Sequence, residues 1–105
     1  MKRKRTFFVY FLTNPKRTVL YIGMTNNLQR RIEEHESART FGKDNFTARY
    51  YCYNLIYYEV FTNVRTAIAR EKELKKWSRK KKEALIATEN PGWAFWNEEV
   101  KEWDI

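Results

Sequence analysis

The sequence contains little of what marks a disulfide-rich, collagen-like or low-complexity chain. Its 105 residues include one cysteine, three glycines and two prolines. Cys52 alone can neither close an internal disulfide nor hold a zinc ion, so we expect a reducing compartment. The scarcity of glycine and proline excludes collagen-like and linker-like chains. The 43% of apolar residues is enough for one core and one domain.

The N-terminal apolar run is too short to cross a membrane. Residues 7–12 are apolar, but six residues are fewer than a signal-peptide core needs, and no small-residue cleavage site follows them. A membrane-spanning helix takes about 20 apolar residues. The run therefore predicts a buried strand after a basic lead-in over residues 1–6, and we expect a cytoplasmic protein with no membrane association.

Acidic residues are outnumbered by basic ones, which is the first indication of function. The net charge is +8. Residues 97–105 contribute −3, so residues 1–96 have a net charge of +11. An excess of this size on a small domain favours a polyanionic partner, with nucleic acid ahead of anionic lipid. The alternative is a solvated basic surface that binds nothing specific.

Two strand-like segments near the N-terminus predict a β-hairpin. Residues 7–13 and 18–23 are rich in aromatic and β-branched side chains, and an Asn-Pro pair between them favours a turn. Asn26 is then expected to cap a helix over about residues 27–38, with Gln29 at the reciprocal capping position.

The second half of the chain predicts one strand followed by two helices. Residues 54–61 have strand composition. Thr62 or Asn63 is expected to cap a helix that ends near Trp77, and a second helix is expected over about residues 78–88. The predicted order is ββαβαα.

Two segments fall outside this pattern. Residues 39–53 show little periodicity and predict a long loop, which is uncommon in a small domain and suggests a binding role. The tail contains Trp96 and Trp103 among acidic residues, and its aromatic rings are expected to pack back on the domain. The predicted organisation is a lead-in over 1–6, a domain over 7–93 and a tail over 94–105.

Polar residues interrupt the apolar stripes of two predicted helices. The first stripe comprises Leu28, Arg31, Ile32 and His35, and the second comprises Val64, Ala67, Ile68, Glu71 and Leu74. Arg31 and His35 lie one turn apart and could reach a common ligand, or they could flank the stripe and extend to water. Glu71 within an apolar stripe requires either an internal ion pair, for example with an arginine, or a divalent metal ion.

A basic run follows Glu71 directly. It predicts a surface that contacts nucleic-acid phosphates through Lys72, Lys75, Lys76, Arg79 and Lys80. A solvated helix face is the alternative. The strand tyrosines Tyr10 and Tyr21 are core or edge residues by default. Other tyrosines, including Tyr50 and Tyr51, are expected to be structural, unless they are exposed near the basic surface, where they could stack on bases.

Taken together, these residues resemble the GIY-YIG nuclease family. Tyr21-Ile22-Gly23 matches the second half of its signature, and Phe8-Val9-Tyr10 retains the tyrosine of the first half, eleven residues earlier. Arg31 and His35 follow Tyr21 by ten and fourteen residues, as in the family. The segment Ala67-Ile68-Ala69-Arg70-Glu71 is similar to the helix that carries the family's glutamate. The chain most resembles small stand-alone bacterial members related to the endonuclease domain of the excinuclease C subunit.

The resemblance implies an α+β fold with a three-stranded antiparallel sheet flanked by about three helices. It also implies metal-dependent hydrolysis of phosphodiester bonds. Glu71 would then hold a single Mg²⁺ or Mn²⁺ ion, and Arg31 would stabilise the charge that develops on the phosphate. Tyr10, Tyr21 or His35 would position or deprotonate the attacking water, and family precedent favours Tyr10.

The leading hypothesis from the sequence is therefore an endonuclease that acts on DNA, in repair or recombination. DNA is placed ahead of RNA through the resemblance alone. A second hypothesis is a nucleic-acid-binding module of the same fold without significant turnover. A third is a protein-interaction domain that uses the Trp-rich tail, and a homodimer is also left open. Some members of the family have an asparagine after the glutamate, and Asn90 is the candidate for that residue in this chain.

Overall fold

A β-hairpin and a third strand form the sheet at the centre of the fold. The computed structural model describes residues 5–41 and 46–103, in which the strands are β1 (Phe7–Thr13), β2 (Leu20–Thr25) and β3 (Asn54–Phe61). The sheet is antiparallel, and its order is β2-β1-β3. This order places β1 at the centre, where the apolar run of residues 7–12 is buried almost completely.

Within the described ranges five helices accompany the sheet, so the element order there is ββααβααα. They are α1 (Leu28–Phe41), α2 (Phe46–Arg49), α3 (Val64–Lys76), α4 (Arg79–Glu89) and α5 (Asn97–Lys101). The predicted α+β class and three-stranded antiparallel sheet are confirmed. The prediction of a continuous loop over residues 39–53 is wrong, because α1 runs on to Phe41 and α2 lies within that segment. Residues 42–45 of the predicted loop lie outside the described residues.

Alternating side chains of β1 contribute to two core clusters, as the period of two in a strand requires. Val9 and Phe11 belong to the cluster that contains Ala67 and Leu74 of α3, together with Ile86 of α4. The side chains on the other face of β1 pack elsewhere. Their cluster comprises Phe8, Tyr10, Leu12, Leu28, Ile32, Cys52, Leu55 and Val100. The sheet therefore separates α3 and α4 from α1 and α5.

The start of α1 differs from the sequence prediction. The side-chain oxygen of Asn27, rather than that of Asn26, accepts a hydrogen bond from the backbone N–H of Arg30 at 3.0 Å. Gln29 takes no part in a capping box, because its amide donates to the backbone carbonyls of Lys101 and Trp103. The predicted cap is therefore wrong by one residue, and Gln29 instead fixes the C-terminal tail against α1.

The start of α3 agrees with prediction, but its buried face does not. The Asn63 side chain caps the helix by accepting hydrogen bonds from two backbone N–H groups. Ala67 and Leu74 are buried, whereas Val64 and Ile68 are 41% and 37% exposed. The predicted stripe is thus wrong at Val64 and Ile68, because Arg70, paired with a carboxylate on β3, occupies part of the inward face instead.

The C-terminal tail packs on the domain, as the sequence predicted. Trp96 and Trp103 contact the α1-side core cluster. The backbone N–H of Trp96 donates to the Leu55 carbonyl at 2.8 Å. The Asn97 side chain donates to the backbone carbonyl of Tyr53, just before β3, and accepts from the backbone N–H of Leu55 within β3. Among residues 5–41 and 46–103, no helix combines the length and the apolar character of a membrane span.

Candidate active site

Tyr10 and His35 meet in the interior on the α1 side of the sheet. Tyr10 comes from the centre of β1 and is 1% exposed, while His35 lies two turns into α1 and is 3% exposed. The Tyr10 Oη atom lies 3.1 Å from Nε2 of His35, within hydrogen-bond distance. The alternative that His35 extends to water is therefore wrong, because its imidazole is buried against a phenol.

Tyr21 and Gly23 complete this corner from β2. The Tyr21 ring centroid lies 6.3 Å from that of Tyr10 and 5.6 Å from that of His35. Gly23 is the cross-strand partner of Tyr10. A Cβ atom at Gly23 would lie 2.5 Å from the Tyr10 Oη, closer than non-bonded atoms approach. Glycine is therefore required at position 23 to leave room for the Tyr10 phenol.

Burial sets the protonation states of this pair. Burial and the neighbouring Tyr21 raise the pKa of Tyr10 above the usual range for tyrosine, although Arg31 acts in the opposite direction. Burial, followed by the positive charge of Arg31, lowers the pKa of His35 to about 4. At neutral pH the pair therefore consists of a neutral phenol and a neutral imidazole that can accept a proton.

Arg31 lies one helical turn before His35, at the edge of the buried pair. Its side chain is 37% exposed, and Nη1 lies 2.9 Å from a carboxylate oxygen of Glu34. Partial burial opposes its charge, but the Glu34 hydrogen bond and the proximity of Tyr10 outweigh it and raise the pKa of Arg31. The guanidinium therefore stays charged, beside the phenol and partly open to solvent.

Glu71 is a residue of α3 whose charge acts on the same site. Its negative charge is one of the influences on the pKa of Tyr10. The side chain is 21% exposed, and its ion-pair partner is the exposed Lys75, with Nζ at 3.5 Å. The predicted alternative of an internal pair between Glu71 and an arginine is not what the structure shows, because the neighbouring Arg70 pairs with Glu59 instead.

The surroundings of Glu71 fit a hard divalent cation held by one carboxylate. The described residues contain no cluster of three or more histidine, cysteine, aspartate or glutamate side chains that could enclose a metal ion. Mg²⁺ commonly binds through one or two carboxylates and keeps several waters, so an enclosed site is not needed. A long, surface-exposed contact with Lys75 is also readily exchanged for a metal ion.

Thr47 is a member of this site that the sequence did not predict. It lies in α2 and is 4% exposed, and its Oγ1 atom is 3.1 Å from Nδ1 of His35. The two imidazole nitrogens therefore contact Tyr10 on one side and Thr47 on the other. The sequence offered no signal for this contact, because α2 is one short turn in a segment without periodicity.

The predicted basic surface divides into residues with different contacts. All five predicted residues are exposed: Lys72, Lys75, Lys76, Arg79 and Lys80. Arg79, however, donates to the carbonyl of Thr18 at 3.0 Å and pairs with Glu83 at 2.9 Å, so it joins α4 to the hairpin turn. Lys75 contacts Glu71 itself.

Asn90 has a structural environment. It is 5% exposed, and its amide donates to the carbonyls of Ile56 and Ala94, while its side-chain oxygen accepts from the Ala94 N–H. These bonds fix the segment after α4 against β3.

Comparison with known proteins identifies a family model and relatives that match most of the chain. The family model described as the GIY-YIG catalytic domain matches residues 6–84. A UPF0213 protein of Natronomonas pharaonis is 37% identical over 82 residues, which cover 78% of this chain and 92% of that protein. A UPF0213 protein of Clostridium perfringens is 36% identical over 83 residues, covering 79% and 85%.

A solved structure is similar over nearly the whole chain. The solution NMR structure of a UPF0213 protein from Bacillus halodurans has a TM-score of 0.52 and 26% identity, and the match covers 95% of this chain and 99% of that one. The resemblance to small stand-alone family members is thereby confirmed. With the family model matching most of its length, the chain belongs to the GIY-YIG nuclease family.

Proposed function

We propose that this protein is a divalent-metal-dependent endonuclease that hydrolyses phosphodiester bonds of DNA, with a role in repair or recombination. The observation that carries the proposal is the buried Tyr10–His35 contact, with Arg31 and Glu71 close enough to affect Tyr10. A nuclease needs a route for the proton of water, a positive group for the phosphate and an oxygen ligand for a metal ion. Each has a candidate here.

Tyr10 and His35 form the proposed proton route. If Nδ1 of His35 carries its proton toward Thr47, then Nε2 is free to accept the phenolic proton of Tyr10. Water can then give its proton to the Tyr10 oxygen while the phenolic proton moves to His35. This route removes the need for a free phenolate, which the raised pKa of Tyr10 makes rare at neutral pH.

Arg31 and Glu71 are proposed to act on the phosphate. A planar and permanently charged guanidinium can donate two hydrogen bonds to phosphate oxygens, and the charge on those oxygens increases in the transition state. Glu71 would hold Mg²⁺ or Mn²⁺, which supplies Lewis-acid polarisation of the phosphate when bound. Tyr21 packs beside Tyr10 and His35, where it would orient the attacking water.

The basic residues after Glu71 are proposed to bind the phosphate backbone around the cut. Lys72, Lys76 and Lys80 are exposed on the helices that follow the metal ligand in sequence. With the metal ion bound to Glu71, the Lys75 ammonium group would no longer pair with that carboxylate and would contact a phosphate oxygen instead. Arg79 is already engaged with the hairpin turn, so we expect its contribution to binding to be smaller than that of the lysines.

The second candidate function is a binding module of the same fold without turnover. It predicts salt-sensitive binding with no metal requirement. The Trp-rich tail supports a protein-interaction role less well, because Trp96 and Trp103 pack on the core. Removing residues 93–105 would therefore expose apolar surface, so loss of a partner after that deletion would not identify the tail as its binding site.

The test is cleavage and metal binding by wild type and Glu71→Gln. We expect wild type to cut DNA with Mg²⁺ or Mn²⁺, and Glu71→Gln to lose cleavage by about 10³-fold, because metal-ion stabilisation of phosphate charge supplies several kcal/mol. Mn²⁺ binding, followed by titration calorimetry, should weaken in parallel. Glu83→Gln is the matched control, since Glu83 is an exposed carboxylate paired with Arg79. Equal cleavage by wild type and Glu71→Gln would refute the metal site.

A further inference from the structure

Two adjacent tyrosines are exposed immediately after α2. Tyr50 and Tyr51 are 43% and 62% exposed, whereas the next two residues, Cys52 and Tyr53, are buried. Exposed aromatic side chains on a nucleic-acid-binding protein are the groups on which unpaired bases stack.

The segment that carries them is attached to the candidate site by hydrogen bonds. Thr47 contacts His35 at 3.1 Å, and the backbone N–H of Cys52 donates to the carbonyl of Thr47 at 2.9 Å. The two tyrosines therefore lie within a turn whose two ends are joined, and one end of that turn touches His35. A strand of nucleic acid positioned for cleavage beside Tyr10 and His35 would have its neighbouring nucleotides close to this turn.

The backbone at Tyr51 is strained. Its φ is 60°, in the left-handed region that bulky side chains rarely adopt. Such a conformation persists when the surrounding structure enforces it, and it is commonest at binding and catalytic sites. The Tyr51 ring makes an edge contact with the Tyr53 ring, with centroids 6.5 Å apart. The left-handed backbone at Tyr51 thus presents an exposed ring directly before the buried residues Cys52 and Tyr53.

We propose that Tyr50 and Tyr51 form a stacking platform for unpaired bases next to the cleaved phosphate. This inference rests on the proposed nuclease function and names its substrate class: DNA with a single-stranded segment at the cut, such as a flap or an unpaired junction, in preference to continuous duplex. Paired bases stack on each other and present only their edges in the grooves, so a flat aromatic platform has no base face to contact in an intact duplex.

The charge of the chain favours nucleic acid over a protein as the occupant. The net charge is +8, and the residue directly before the two rings is the exposed Arg49. A guanidinium next to aromatic rings combines phosphate attraction with base stacking, the two elements of single-strand binding. A protein partner for the same rings is an outcome that the experiment below would detect as binding without dependence on unpaired bases.

Variants at Tyr51 can separate stacking from folding. Tyr51→Asn removes the ring and places a residue that tolerates left-handed backbone, so its melting temperature should stay close to that of wild type. Tyr51→Phe keeps the ring and removes the hydroxyl. Tyr50→Ala tests the second ring. Phe95→Ala is the matched control, because Phe95 is a 39% exposed ring that contacts the Arg17 guanidinium of the hairpin turn.

Binding is measured without turnover, in EDTA, by fluorescence anisotropy. The probes are a duplex with a single-stranded arm and a fully paired duplex of the same sequence. A 2-aminopurine in the arm reports stacking, because its fluorescence is quenched when it stacks.

We expect Tyr51→Asn to weaken arm binding by about 5- to 150-fold, which corresponds to losing one base–aromatic stack of about 1–3 kcal/mol. The same variant should restore 2-aminopurine fluorescence. Tyr51→Phe and Phe95→Ala should behave like wild type, and paired duplex should bind equally to all four variants.

The outcomes distinguish this inference from the nuclease proposal. If Tyr51→Asn binds both probes as wild type does, or weakens both equally, the platform is refuted, even if the protein cuts DNA. If wild type cuts nothing with Mn²⁺, but Tyr51→Asn binds the armed duplex more weakly than wild type does, the platform stands and the nuclease proposal fails. If wild type cuts continuous duplex as fast as the armed substrate, the substrate class is wrong. A lowered melting temperature for Tyr51→Asn would instead make Tyr51 a structural residue.

Discussion

Two polar clusters each contain at least one residue of α3, and they differ in how their charges are paired. The first, which we call the ion-pair cluster, comprises Tyr57, Glu59, Arg70 and Glu73. In it Arg70 contacts both oxygens of Glu59, at 2.8 and 3.0 Å, and the Tyr57 hydroxyl donates to Glu59 at 2.6 Å. The second is the candidate active site. Its carboxylate, Glu71, is the next residue after Arg70, yet it pairs with an exposed lysine at 3.5 Å.

The difference lies in how fully each charge is neutralised. Burial opposes ionisation of Glu59, but hydrogen bonds from Arg70 and Tyr57 overcome this and lower its pKa. Every charge in the ion-pair cluster therefore has a close partner. In the candidate site, Arg31 and Glu71 stay partly exposed, and the buried Tyr10 and His35 are neutral. Arg31 and Glu71 also have partners, but these are the exposed side chains of Glu34 and Lys75, and surface ion pairs are weak enough for a phosphate or a cation to replace them.

After the loss expected for Glu71→Gln, the largest effect comes from displacing Tyr10 without touching a charged group. Gly23→Ala would place a methyl group 2.5 Å from the Tyr10 Oη, so the buried ring must move away from His35. We expect cleavage to fall by about 100-fold, as small misplacements of catalytic groups commonly do. The ion-pair cluster lies elsewhere and should keep its structure. Cleavage rates at saturating Mg²⁺ provide the measurement.

Gly92→Ala is the matched control for that substitution. No atom lies within 4 Å of a Cβ built at Gly92, so an added methyl group meets open space. We expect cleavage by Gly92→Ala to equal that of wild type. Equal loss in the two alanine variants would show that the effect is general to the fold rather than specific to the Tyr10–His35 contact.

Breaking the ion-pair cluster should cost stability rather than activity. Glu59→Gln leaves the Arg70 guanidinium without its main charged partner, and both side chains are mostly buried, at 19% and 24% exposure. We expect the free energy of unfolding to fall by about 2 kcal/mol, the scale of a hydrogen bond to a charged group. Urea unfolding measures the loss. Cleavage well below the melting temperature should remain near wild type, and a loss like that of Glu71→Gln would contradict the division between the clusters.

Acid should affect the candidate site before the ion-pair cluster. The folded-state pKa of His35 is about 4, below the ordinary value of 6.5, so the unfolded chain binds the proton more readily as pH falls from 6.5 toward 4. Stability should therefore fall in that window, by about 2 kcal/mol at pH 5. Glu59, with a pKa lowered from 4.5, loses its contribution only at still lower pH.

His35→Gln tests this assignment, because it removes the titrating group. The difference in unfolding free energy between wild type and His35→Gln should narrow as pH falls from 7.5 to 5, since only wild type can protonate position 35 on unfolding. His35 is the one histidine of the chain, so its pKa can also be measured directly by NMR. A measured value near 6.5 would overturn the buried neutral state.

Local signals predicted most of the fold, and the resemblance to a known family supplied the residues of the candidate site. The continuous apolar run of β1 and the Asn63 cap each depend on neighbours in sequence, and each appears as expected. The spacing from Tyr21 to His35 brings the two rings together, with centroids 5.6 Å apart. The sequence could also locate Glu71 in a costly position. It could not predict whether the neighbouring Arg70 pairs with Glu71, because the partner of Arg70 is Glu59, which lies on a different element.

The features that the sequence did not predict depend on contacts between distant segments. Val64 and Ile68 are exposed because the Arg70–Glu59 pair turns a charged position of α3 inward, which hydrophobic periodicity cannot anticipate. Gln29 binds the tail rather than its own helix N-terminus. Thr47 contacts His35 from twelve residues away across an irregular segment. In each case a polar side chain is satisfied by a partner that only the folded chain brings near.

The smallest expected effect concerns Thr47, which we interpret as a positioning residue for His35. Thr47→Val keeps the shape of the side chain and removes the acceptor at Nδ1, so the imidazole should populate both neutral tautomers. We expect cleavage to fall by about 5-fold, equivalent to one ordinary hydrogen bond of about 1 kcal/mol. Thr47→Ser should restore the cleavage rate.

The ¹⁵N signals of the chain's one histidine should show a proton fixed on Nδ1 in wild type and in Thr47→Ser, but shared between the two nitrogens in Thr47→Val. A purely structural Thr47 would lower stability without moving those signals, whereas a tautomer change that accompanies the loss of cleavage would place Thr47, His35 and Tyr10 in one proton route.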